Sequence, residues 1–189
     1  MLHDQLSLDQ SVSVRDAREE DHADIAHLTV TSYVDGGHIH PEDEYLDELR
    51  DVAGRARNAR VLVGEVEVSD GDSVRTVVAG SVVLTLPGMP MSETSREGEL
   101  EFRMLAVDPQ VQRRGVARAL VRATIARAEL LDGIHAIVLT TMKTMTGAHR
   151  LYESEGFVRV PERDWRLSDI GQVPASGEDQ LFWVYRRPV

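Results

Sequence analysis

The sequence predicts an α/β fold, a single mixed sheet with helices packed on it, in the order β-α-α-β-β-β-α-β-α-β-β. Three observations carry that prediction. Val116, Leu120 and Ala123, and again Val121, Ile125 and Ala128, recur at i, i+4 and i+7, the spacing of a buried helix face. Ile134 to Thr140 is a nearly unbroken apolar run, as expected of a strand covered on both faces. Two Val-rich runs, 61–68 and 74–86, flank Ser69-Asp70-Gly71-Asp72-Ser73, whose Asp-Gly supplies the positive φ of a hairpin turn.

The remaining elements follow in order. Ser11 to Ala17 alternates Val with polar residues and predicts a short strand, and Glu20 to Thr31 places Ile25 and Leu28 on one helical face until Gly36-Gly37 breaks the chain. From Pro41 to about Arg57 the pattern is helical again, with Tyr45, Leu46, Leu49, Val52 and Ala53 available for burial. Pro87 to Gly98 has no periodicity and reads as a mobile loop that could border a site. Leu100 to Val107 is a strand stopped by Asp108-Pro109, and the helix from Gly115 to Leu131 closes at Asp132-Gly133. Met145 to Glu155 is a short helix, Phe157 to Val160 and Leu181 to Arg187 are strands, and 161–180 is irregular. With 189 residues and no linker, residues 11–189 read as one domain behind a flexible stretch, 1–10.

Composition narrows the function. The first ten residues lack a basic start and an apolar stretch, and no run approaches a membrane span, so a cytoplasmic protein is expected. The absence of cysteine closes disulfide and thiolate chemistry. A net charge of −11 argues against nucleic acid as a partner. Residues 16–51 hold twelve Asp or Glu against two Arg, whereas 110–128 hold five Arg and no acid. Such a contrast suits a small polyanion at the basic end and a cationic partner at the acidic end, although two solvated helix faces would read the same.

A strand, an Asp-Pro turn and then Gln112-Arg113-Arg114-Gly115 at a helix start form a device for holding a pyrophosphate. The first helical turn leaves about four N–H groups without internal partners and carries partial positive charge. Gly115 lets the backbone approach an oxyanion closely, Ala117 keeps the next turn clear, and Arg113, Arg114 and Arg118 add charge. The segment lacks the Lys-Ser/Thr pair of the nucleotide-triphosphate loop and the three glycines of the dinucleotide fingerprint.

Leu100 to Ala117, LEFRMLAVDPQVQRRGVA, resembles the acetyl-CoA motif of the GNAT superfamily of N-acetyltransferases, with Gln112, Gly115 and Ala117 filling Gln/Arg-x-x-Gly-x-Gly/Ala. Ala148, Leu151, Tyr152, Gly156 and Phe157 are similar to that family's second signature, A-x-x-L-Y-x-x-x-G-F. The resemblance implies acetyl-CoA as co-substrate, no metal, and direct transfer to a primary amine in a ternary complex. It further implies that the backbone of Leu105, Ala106 and Val107 pairs with the pantetheine arm, that residues 112–118, Val116 included, take the pyrophosphate, and that Tyr152 protonates the departing thiolate. Homodimers are common in the superfamily, but no interface is legible here.

An alkylamine is about 99.9% protonated at pH 7, so some base must free it for attack. Glu101 is the first candidate. It shares a strand face with Arg103 and Leu105 by alternation, and several GNAT enzymes place a glutamate at this distance from the motif glycine. Glu99 shares the parity and is the second candidate on the acceptor side; a solvent-facing strand carboxylate is the plainer alternative for either. Tyr33 and the loop after it would border the acceptor cleft. His38 and His40, without a third ligand in view, read as a polar loop rather than a metal site. Met145 stands where many relatives carry a cofactor-touching asparagine, which favours a second reading, an acetyl-CoA-binding sensor without turnover. The acidic amino-terminal half leans the acceptor towards a polyamine, an aminoglycoside-like compound or a peptide amine.

Overall fold

The computed structural model describes residues 12–70, 73–171 and 179–189. One sheet holds eight strands: β1 (Ser13–Asp16), β2 (Arg60–Asp70), β3 (Ser73–Thr85), β4 (Glu99–Val107), β5 (Ala136–Met142), β6 (Val158–Arg159), β7 (Trp165–Arg166) and β8 (Leu181–Pro188). Their lateral order is β1-β2-β3-β4-β5-β8-β6, with β7 also paired to β8. Only β4 and β5 run parallel, because α4 (Val116–Glu129) returns the chain between them as a crossover, the connection a parallel pair requires. The β2–β3 hairpin is in register from Arg60↔Leu84 to Asp70↔Ser73, with one irregularity at Gly64/Glu65. The Gly71 turn conformation and residues 1–10 lie outside the described residues.

Helices cover both faces. On one, α4 and α5 (Thr146–Ser154) pack Val116, Leu120, Val121, Ile125 and Tyr152 against Leu62, Leu84, Phe102, Ile137 and Leu139. On the other, α1 (His22–Asp35), α2 (Tyr45–Arg50) and α3 (Val52–Asn58) bring Ile25, Leu46, Leu49 and Val52 onto Val61, Val63, Val83 and Met104. Burying each such side chain is worth about 1.5–3 kcal/mol. Leu120 is fully buried, and Leu120→Ala is expected to cost about 3 kcal/mol in a denaturant titration. The start of α4 is seated by bare backbone beneath it: a Cβ on Gly80 of β3 would come within 2.8 Å of Val116 Cγ1.

The predicted helix from Pro41 to Arg57 is two helices. Asp51 leaves helical geometry at ψ 67 and its carboxylate accepts the Gly54 N–H, which ends α2 and caps α3. Ala53 is consequently exposed, and beside Val52 and Gly54 the turn buries Arg55, whose guanidinium donates to the Leu49 carbonyl at the end of α2. The region after β6 is less irregular than expected, holding β7 and two 3₁₀ turns.

Candidate active site

The site begins as a fault in the sheet. β4 and β5 are paired from Glu99↔Ala136 to Phe102↔Leu139 and no further. From Arg103 onward β4 keeps only β3, while β5 keeps β8. A bulge marks the opening: β3 advances two residues from Ser81 to Val83 while β4 covers three, from Ala106 to Arg103, and the extra residue Met104 sits at φ 51. The bulge changes the faces expected from alternation. Met104 joins Arg103's side and packs with Val83, whereas Leu105 turns to the opposite cluster.

Between the splayed strands lies a cavity of about 620 Å³. At one end stand Gln112, Arg113, Gly115, Val116, Ala117 and Arg118, where α4 begins. Gly115 caps that helix at φ 78 with no side-chain cap, and a Cβ placed on it meets nothing within 4 Å, so the first-turn N–H groups face open space. That is what a pyrophosphate needs. Arg113 has no ion pair among the described residues, whereas Arg118 is bridged to Glu155 at 2.5 Å. Arg114 is turned away, donating to the Glu67 carbonyl, and does not line the cavity.

Tyr152, on α5, lines the cavity and packs edge-on against Phe102 at 5.7 Å. Burial pushes its hydroxyl well above the usual phenol range, which keeps the proton on it at neutral pH. Met145 and Thr140 also line the cavity, and Thr140 Oγ1 is shut from solvent without a partner. At the far end stand Ser32, Tyr33, His38 and Arg103. Burial raises the Tyr33 hydroxyl to about 12.

The Acetyltransferase (GNAT) family profile matches residues 22–157, most of the chain. The chain belongs to the GNAT acetyltransferase family. It is 38% identical over 95 residues to N-acetylaspartate synthetase of Danio rerio, a match spanning 49% of this chain and 32% of that longer protein. Among solved structures it is similar to a GNAT-family acetyltransferase from Staphylococcus aureus, with 12% identity, a TM-score of 0.63, and 94% and 99% of the two chains covered. It is similar also to a Salmonella typhimurium protein assigned as an acetyltransferase and solved with its cofactor acetyl-CoA, with 19% identity, a TM-score of 0.60 and 94% of each chain covered. No helix among the described residues is long and apolar enough to cross a membrane.

Within this GNAT framework the sequence candidates separate. Gln112, Arg113, Gly115, Val116, Ala117, Arg118, Leu105, Val107, Tyr33 and Tyr152 share the cavity wall. Ala106 is buried in the core and has only its backbone to offer. Glu101 and Glu99 are both buried and do not line the cavity. Glu101 Oε2 accepts the Ser92 hydroxyl and the amides of Glu93, Thr94 and Ser95 at 3.0–3.1 Å, while Oε1 has no partner. Glu99 accepts from Arg163 at 2.9 Å and Arg186 at 2.8 Å. Burial alone would raise the Glu99 carboxyl, yet these guanidiniums and the Arg96 amide hold it at about 2.

Pro87–Gly98, expected to be mobile, is therefore fastened. Glu101 holds its middle, Arg163 donates to the Thr94 carbonyl, and Arg103 donates to the Met91 carbonyl and pairs with Glu93. The acidic stretch 16–51 reaches the cavity only through Ser32, Tyr33 and His38, so the wall holds three arginines and no carboxylate. The lean towards a cationic acceptor counted charges along the chain, and the cavity wall adds no carboxylate in its support. Sequence reasoning missed Arg103 as a cavity residue; the signal available was its parity with Glu101.

Proposed function

We propose that this domain transfers the acetyl group of acetyl-CoA directly to a primary amine, with both substrates bound together. The observation that carries the reading is the splay of β4 from β5, with an uncapped helix start and Tyr152 both on the wall of the opening. The unpaired edge of Leu105 to Val107 is suited to the amide-bearing pantetheine arm, and the Gln112–Arg118 turn to the pyrophosphate. A neutral amine attacks the thioester carbonyl, the new C–N bond forms and the C–S bond breaks. The departing sulfur takes a proton from Tyr152, and the nitrogen gives up its surplus protons to a base and solvent.

The test is calorimetric titration with acetyl-CoA, followed by thiol release with a panel of amines. Absence of acetyl-CoA binding would remove the reading. Tyr152→Phe is expected to lower kcat by about 100-fold while leaving acetyl-CoA affinity within about twofold; an unchanged kcat would take the acid role from Tyr152. One observation favours the sensor alternative. Met145 lines the cavity with a thioether whose sulfur meets Thr141 Oγ1 at 3.6 Å, offering the cofactor no amide. Binding of acetyl-CoA with no turnover across the panel would decide for it.

A further inference from the structure

We infer that the acceptor of this site carries a carboxylate beside its amine, a free α-amino acid being the simplest case, with Arg103 binding the carboxylate. The inference rests on the acetyl-transfer reading above and names its substrate class. Arg103 is the first β4 residue beyond the last β4–β5 pair, so it stands where the two strands separate. It lines the cavity with a side chain only 10% exposed. Of a guanidinium's five N–H donors, one is taken by the Met91 carbonyl and one by Glu93. The planar fork that is left matches a carboxylate, which can take two parallel hydrogen bonds from it.

Charge balance selects the rest of the ligand. In its ion pair with Glu93, Arg103 is the poorly solvated partner, at 10% side-chain exposure against 31%, so a charge brought against the guanidinium is little screened by water. A bare polyamine would bring positive charge to a wall with three arginines and no carboxylate. A simple anion would compete with Glu93 for Arg103. A zwitterion adds one charge of each sign, so its carboxylate meets the guanidinium while its net charge stays zero. Thr140 Oγ1, buried and unpartnered on the cavity wall, can serve a further polar atom of the ligand.

The bound ammonium loses one proton to solvent, the freed amine attacks the thioester, and the second proton passes from the nitrogen to solvent as the C–S bond breaks and Tyr152 protonates the sulfur. Glu101 is a positioning residue for the acceptor end: by gathering the amides of Glu93, Thr94 and Ser95 on one oxygen it fixes the loop whose Met91 carbonyl and Glu93 carboxylate hold Arg103.

The decisive experiment uses the unmodified protein. Aspartate, glutamate, methionine and phenylalanine are each compared with their α-carboxamide and their decarboxylated amine as acceptors, following thiol release from acetyl-CoA. For whichever side chain is accepted best, kcat/KM for the free acid is expected to exceed that of both derivatives by at least about 10-fold. Acetyl-CoA binding together with equal or better use of the derivatives, or with no free amino acid acetylated, overturns the inference and leaves the acetyl-CoA assignment standing. Absence of acetyl-CoA binding removes both. Arg103→Lys is expected to raise KM for the free acid by about 10-fold and to shrink the preference for acid over carboxamide, with acetyl-CoA affinity unchanged. A preserved preference takes the carboxylate from Arg103. Glu101→Gln should loosen the loop that holds Arg103 and raise KM for the free acid while keeping a pH profile parallel to the parent's. A changed profile with KM unaltered takes the positioning role from Glu101. If Arg103→Lys does not fold, the comparison of acceptors with the parent chain decides alone.

Discussion

Gly115→Glu is expected to weaken acetyl-CoA binding by at least about 100-fold, measured by calorimetry, while the chain stays folded. Two effects combine. The residue sits at φ 78, where a side chain costs about 1–2 kcal/mol. The new carboxylate would then occupy the open space in front of the α4 N-terminus, repelling the pyrophosphate and competing for its N–H groups. The fold is spared because a Cβ there meets no atom within 4 Å. Gly115→Ala isolates the backbone part. It carries the φ strain without the charge, so its loss of affinity should be much smaller than that of the glutamate variant. Equal losses would mean that helix-start geometry, and not a bound oxyanion, explains the effect. Unchanged affinity in Gly115→Glu would sink the acetyl-CoA assignment itself.

Glu99→Ala is expected to be the most destabilising single change on the polar side of the sheet, at about 3–5 kcal/mol in a denaturant titration, because it leaves Arg163 buried without its counter-charge. Arg163 side chain is 6% exposed, whereas Arg186 at 34% can recover water. Acid should act on the same site. The Glu99 carboxyl is held at about 2 in the folded chain, below its ordinary value of about 4.5, so its contribution is complete above that ordinary value. It is lost as the pH falls from about 4.5 towards 2, and is on the order of 2 kcal/mol once solvent access at Arg186 is discounted. Stability of the parent should therefore fall over that window more steeply than that of Glu99→Gln. Parallel curves would remove the ionic account.

These two residues differ in how legible they were. The expected use of Gly115 follows from its immediate neighbours, since a strand, a turn and a helix start are local events and follow one another without a break from Glu99 to Ala117. Glu99 and Glu101 were chosen by strand parity, which correctly puts both on one face but says nothing of what covers that face. The covering is done by Pro87–Gly98 folding back and by Arg163 and Arg186, 64 and 87 residues further along the chain. Parity then fails outright at Met104, because a bulge depends on how β4 registers with β3 and not on either strand's own pattern.

By itself the sequence determined the alternation of strands and helices, apart from the break at Asp51 and the short β7, together with the two apolar helix faces, the hairpin and the helix start at Gly115, all of which rest on periodicity or on backbone geometry within one or two turns. Tertiary structure alone decided the acceptor end. Which carboxylate anchors a loop, which meets a guanidinium and which charges reach the cavity are questions of distance across the fold. An ion pair is selected by closeness through space and by the water it loses, so Arg103 and Glu93, ten residues apart on a strand and the loop before it, become partners only once that loop is tied down on Glu101.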